Sequence, residues 1–185
     1  GRTISMLQGE QGALSREFDK LADWMRAEPL PDVINLPNTL LIALAAPLKR
    51  EFNRPICCTM QGEEFFLDGL APPYREQALA LIRDQVQNVD RFVAVGEYCA
   101  AFMSHYLDIS PARISVVPLG ISMEGYTPSI QVGGQPESDP LRIGYFARIA
   151  PEKGLHLLAE AYIRLRRRTG RTPIRLEAAG YLARA

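Results

Sequence analysis

Apolar residues recur at two periods along this chain, and the switching between them predicts its elements. From Ser15 to Ala27, Phe18, Leu21, Ala22, Trp24 and Met25 share one side of a helical wheel, while Arg16, Asp19 and Lys20 share the other. That spacing predicts an amphipathic helix with Trp24 as a core anchor. Upstream, Arg2–Leu7 reads as a strand. Downstream the pattern alternates: strand Asp32–Leu36, helix Leu40–Phe52 with an Asn38-Thr39 cap, strand Pro55–Thr59, loop Met60–Glu64, helix Glu76–Val89, strand Arg91–Val95, helix Glu97–Tyr106 and strand Arg113–Val117. Strands alternating with helices predict an α/β layer with a mostly parallel sheet.

From Tyr126 to Pro140 the apolar period vanishes into Pro, Ser, Gly and Gln, which marks a linker. A second α/β unit starts at Leu141. Its strand Leu141–Phe146 leads through the loop Ala147–Gly154 into a helix beginning near Leu155, with Leu157, Leu158, Ala161, Tyr162 and Leu165 inward, and then to a strand Ile174–Ala179. The organisation is residues 1–125, a linker over 126–140, and the start of a second domain over 141–185.

Composition narrows the function classes. The 185 residues carry 21 basic and 21 acidic side chains, so no net charge draws the chain to nucleic acid or an anionic membrane. The run of Arg164, Arg166, Arg167 and Arg168 has no interleaved aromatics and closes a helix, where cations favour the macrodipole. Cys57, Cys58 and Cys99 lack metal-ligand spacing and read as reduced core residues. No apolar run reaches the ~20 residues of a spanning helix, and the expected location is the cytoplasm, with membrane-peripheral attachment open for a longer parent protein.

The candidate chemistry lies on loops at strand carboxyl ends. Arg148 and Lys153 sit between a strand and a helix amino terminus, where open α/β sheets bind anionic ligands such as a diphosphate. Gln61, Gly62, Glu63 and Glu64 occupy the equivalent loop of the first half, where acceptor contacts are expected, with Gln61 and Glu63 the candidates and a polar turn with an exposed helix start as the alternative. A Glu63/Asp68 acid pair for glycoside hydrolysis would need a defined separation between the carboxyl groups. His105 and His156 stand alone, no metal is expected, and no P-loop motif is present.

The passages Asp90-Arg-Phe-Val-Ala-Val-Gly-Glu97, Ile114-Ser-Val-Val-Pro-Leu-Gly-Ile121 and Ile143-Gly-Tyr-Phe-Ala-Arg-Ile-Ala-Pro-Glu-Lys-Gly154 resemble, in order and spacing, the middle of retaining glycosyltransferases of family four. The resemblance implies two Rossmann-like parallel-sheet domains in the GT-B arrangement, both incomplete. It implies sugar transfer with retention from a nucleotide-diphosphate sugar to an unknown acceptor, without a cofactor. Arg148 and Lys153 would hold the donor diphosphate, and Gly120 and Gly180 would let backbone approach ligand across the cleft. Gln61 stands where many members carry histidine and cannot act as a base, so no catalytic residue is assigned. The family's glycine-rich loop would precede this chain and its glutamate pair would follow it, so the chain is expected to be an inactive piece that self-associates through its cut sheet. The alternatives are a non-catalytic sugar-nucleotide binding or scaffold protein, and an epimerase or phosphorylase of similar layout.

Overall fold

The computed structural model describes residues 1–125, 140–169 and 173–181; apart from Pro140, the expected linker lies outside the described residues. The chain divides into two compact units, Gly1–Met123 and Glu124–Ala185.

The first unit is built on four strands, β1 (Ile34–Leu36), β2 (Ile56–Met60), β3 (Arg91–Ala94) and β4 (Ile114–Val116), in the order β1-β2-β3-β4. All neighbours run parallel, with Asn35 opposite Cys57, Thr59 opposite Val93 and Ala94 opposite Val116. On β2, Ile56, Cys58 and Met60 are fully buried and the intervening Cys57 and Thr59 half-buried, as a central strand covered on both faces requires. The helices are α1 (Arg2–Leu7), α2 (Ser15–Ala27), α3 (Ala45–Phe52), α4 (Glu64–Asp68), α5 (Tyr74–Gln85) and α6 (Glu97–Leu107). Ala78, Leu79 and Ile82 of α5 and Met103 and Leu107 of α6 close the core over the sheet.

Two expectations are corrected. Arg2–Leu7 is a helix rather than a strand. Ile4 and Leu7 stand one helical turn apart and both reach the core, Leu7 at 1% exposure, so the short apolar pattern that suits a strand is satisfied by a helix. Trp24 is no core anchor: it is 60% exposed, while Phe18, Leu21 and Met25 form the packed stripe of α2. The expected helix Leu40–Phe52 opens as a 3₁₀ segment, Thr39–Leu44, capped by the Asn38 side chain, which accepts from the Leu40 amide at 3.1 Å.

Asp90 ties α3, β2 and β3 together. Its Oδ1 accepts from Lys49 Nζ at 2.5 Å and its Oδ2 from the Ile56 amide at 2.8 Å. Burial pushes this carboxyl up, but the Lys49 ammonium and the Ile56 amide outweigh it and hold it below the usual carboxylate range. A carboxyl with a depressed folded pKa adds stability that is present above its unfolded pKa of ~3.9 and lost as pH falls through the folded value. Asp90→Asn is therefore expected to lower Tm at neutral pH, with the gap to the parent closing below about pH 4; thermal melts across that range check it.

The second unit pairs β5 (Leu141–Phe146) with β6 (Ile174–Ala179) in parallel, Ile143 opposite Leu176 and Phe146 opposite Ala179, with α7 (Leu155–Thr169) between them in sequence. Ile143 and Tyr145 are half-buried while Arg142, Gly144 and Phe146 are exposed. On α7, Leu155, Leu158, Tyr162 and Leu165 are half-buried; Leu157 and Ala161, expected inward, are exposed. The Tyr162 hydroxyl and the Arg166 guanidinium both donate to the Ile174 carbonyl, so one arginine of the basic run fastens α7 to β6.

Candidate functional site

In the first unit the loops at the carboxyl ends of β1 and β2 are latched by one buried side chain. Glu63, 6% exposed, accepts through Oε1 from the Thr39 amide at 2.8 Å and from Thr39 Oγ1 at 3.3 Å, and through Oε2 from the Gln61 amide at 2.7 Å. Gln61 completes the latch, its Nε2 donating to the Pro37 carbonyl at 2.9 Å. Both side chains are turned onto the β1 loop.

Beside this latch lies a pocket of about 520 Å³, walled by Gln61 and Glu64 after β2, Phe65 and Asp68 on α4, and Tyr98 and Phe102 on α6. Tyr98, Phe102 and Tyr106 recur every four residues and stack along α6, with ring centroids 6.2 and 5.4 Å apart. Asp68 anchors the rim: Tyr106 Oη donates to its Oδ1 at 2.7 Å and Arg75 Nε at 2.9 Å. The Tyr106 hydrogen bond, with Arg75, holds the Asp68 carboxyl below its ordinary range. Burial, reinforced by Asp68, pushes the Tyr106 hydroxyl up to about 12, so it keeps its proton and serves as a donor.

Cys58 and Cys99 are disfavoured as thiolates. Burial raises the Cys99 thiol at the pocket wall, with Glu64 and Glu63 adding to the rise, and pushes Cys58 up to about 12. The Glu63/Asp68 hydrolytic pair finds no support in the geometry, since both carboxylates are held by hydrogen bonds to neighbouring protein groups.

In the second unit Arg148 and Lys153 flank the loop from β5 to α7. Arg148 is exposed and its Nη2 reaches Glu152 Oε1 at 2.8 Å. Lys153 ends a 3₁₀ turn, Pro151–Lys153, and Gly154 follows at φ +71°, a left-handed conformation that lets the chain turn into α7. Gly180 has a steric reason: a Cβ there would lie 1.9 Å from the Ala147 carbonyl oxygen, where the end of β6 passes against the residue before Arg148. Added bulk at position 180 therefore shifts the cation-bearing loop. At Gly120 a Cβ would meet nothing within 4 Å. An apolar hollow of about 650 Å³ lies beside the loop, lined by Ile149, Ala150, Pro151, Leu155, His156 and Ala159.

The parallel first sheet, with its loops gathered at the strand carboxyl ends, corresponds to a known family. The family model Glycosyltransferase Family 4 matches residues 7–124, more than half the chain. The chain belongs to glycosyltransferase family 4. No curated protein matches it. Membership gives this family 4 chain a class of chemistry, glycosyl transfer, and in general terms a sugar donor and an acceptor as partners. Two of the passages that carry the resemblance, Asp90–Glu97 and Ile114–Ile121, fall within the matched residues, whereas Ile143–Gly154 lies beyond them.

Of the residues singled out in sequence, the structure brings Gln61 and Glu63 into one latch, and Arg148 and Lys153 onto one loop. Sequence reasoning placed Gln61, Gly62 and Glu64 near acceptor contacts but missed Phe65, Tyr98 and Phe102 as pocket walls. The four-residue spacing of Tyr98, Phe102 and Tyr106 was the available signal. Among the described residues no helix is long and apolar enough to cross a membrane.

Proposed function

We propose that this family 4 chain represents a retaining glycosyltransferase of the GT-B type, in which Arg148 and Lys153 hold the diphosphate of a nucleotide-sugar donor and the acceptor occupies the pocket between α4 and α6. The observation that carries the reading is the family match itself, joined to a two-cation loop between a strand and a helix amino terminus. Departure of the donor's diphosphate builds negative charge. An arginine fork and a lysine point charge can stabilise it without a metal. Gly120 and Gly180 are assigned to close approach of backbone to ligand, each within its own unit.

The Arg148–Glu152 pair does not oppose this role. Both side chains are exposed, and an exposed ion pair is worth about 1 kcal/mol or less, so a diphosphate carrying more charge displaces Glu152. Glu152→Ala is accordingly expected to tighten nucleotide-sugar binding by about fivefold or less, as isothermal titration would show.

Because the chain alone is expected to be inactive, the decisive assay follows nucleoside diphosphate release from UDP-glucose and GDP-mannose by a longer protein that carries it, across an acceptor panel, with NMR of the product's anomeric carbon. Acceptor-dependent release with a retained anomer supports the reading. Donor binding without turnover on any acceptor supports the non-catalytic alternative, which the fixing of Gln61 to the Pro37 carbonyl favours, since that amide is committed to a structural bond.

A further inference from the structure

The pocket of the first unit carries information about the acceptor that family membership does not. Its walls are aromatic and open: Phe65 is 73% and Tyr98 82% exposed around a cavity of about 520 Å³. Large apolar side chains grouped in the open, beside a cavity, mark a surface that gains by being covered. The polar groups lining this pocket are acidic or neutral. Asp68 is committed to Arg75 and Tyr106, and the Arg75 guanidinium is spent in the same cluster. Glu64 is different: its Oε2 is buried and has no hydrogen-bond partner among the protein's groups. A buried carboxylate oxygen without a donor is costly, and a rotation of the Glu64 side chain toward a hydroxyl in the adjoining pocket removes that cost. A phosphate in the same place would set like charges side by side in a partly desolvated cavity.

Resting on the transferase reading above, we infer that the acceptor is an uncharged, hydroxyl-bearing molecule with an apolar aryl or alkyl portion. The apolar part lies against Phe65, Tyr98 and Phe102, and a hydroxyl donates to Glu64. Phosphorylated acceptors are excluded by the same carboxylate. The aromatic wall supplies affinity and the unpartnered oxygen supplies polarity and charge selection.

The test is a titration of the full chain with phenyl β-glucoside, octyl β-glucoside below its micelle concentration, glucose and glucose 6-phosphate. The two glucosides separate an aryl from an alkyl source. At least one is expected to bind about tenfold or more tighter than glucose, and tighter still than glucose 6-phosphate. Tyr98→Ala, at an exposed position that leaves the fold intact, should lose about tenfold for the glucosides, while Tyr98→Phe keeps their affinity. Glu64→Gln, its fold checked by thermal melt, should weaken the glucosides a few-fold and strengthen glucose 6-phosphate, narrowing the gap. Equal or preferred binding of glucose 6-phosphate, or glucoside affinity indifferent to Tyr98→Ala, overturns the inference. UDP-glucose and GDP-mannose titrated into the same preparation keep the two readings apart. Loss of donor binding with glucoside selectivity intact overturns the transferase reading alone, and the reverse overturns the acceptor class alone.

Discussion

Glu63→Ala is expected to destabilise the first unit by about 3 kcal/mol, a fall of roughly 10 °C in Tm. The side chain accepts from two backbone amides and one hydroxyl, all drawn from loops that leave neighbouring parallel strands. Thr39 is fully buried, so its amide and hydroxyl have no water to turn to once the carboxylate is gone, and each orphaned buried donor costs ~1–3 kcal/mol. Gln61 is exposed and recovers part of its loss from solvent. Glu63→Gln, which keeps one acceptor but points an amide donor at another donor, should fall between. Differential scanning calorimetry of the three chains checks the order. A Glu63→Ala melt superimposable on the parent would show that the latch contributes nothing.

In a longer protein that carries this chain and transfers sugar, Arg148→Ala and Lys153→Ala are each expected to lower kcat/KM by about 10²-fold, the usual scale for removing one group that stabilises developing transition-state charge. Arg148→Lys should not restore the rate, because a point charge cannot reproduce the planar fork on two phosphate oxygens. The stability of the second unit should be unmoved, since the exposed Arg148–Glu152 pair adds at most ~1 kcal/mol. A loss confined to KM would instead mark both cations as uniform binding groups.

The parallel first sheet was legible because its strands are short apolar runs bounded by turn residues, and the helices between them carry a clear 3.6-residue stripe. Ile56-Cys-Cys-Thr-Met60 and Arg91-Phe-Val-Ala94 fall where the pattern puts them, with ends moved by a residue or so. Arg2–Leu7 was not legible: over six residues, Ile4 and Leu7 satisfy a helix as well as a strand, and packing decides. Trp24 shows the limit of a hydrophobic stripe, since a residue on its flank is left outside once Phe18, Leu21 and Met25 have filled the contact.

At the site, sequence could say that acidic residues follow β2 but could not tell Glu63 from Glu64. The two differ because α4 begins at Glu64, turning Glu63 onto Thr39 and leaving Glu64 on the pocket wall. Arg148 and Lys153 stood out in sequence through their place between strand and helix. Gly180 was singled out for approach to a ligand. The structure adds a second reason for it, the passage of β6 across the Ala147 carbonyl.

We propose that the loop from β5 to α7 holds the diphosphate of a sugar donor. Thermal stabilisation of the chain by UDP-glucose and GDP-mannose, repeated with Arg148→Ala and Lys153→Ala, tests it most directly. Binding to the folded state alone raises stability by about 2.7 kcal/mol at a ligand concentration a hundredfold above Kd. A clear rise in Tm with at least one of these donors, lost in both variants, is expected. Shifts that persist unchanged in Arg148→Ala and Lys153→Ala would contradict it.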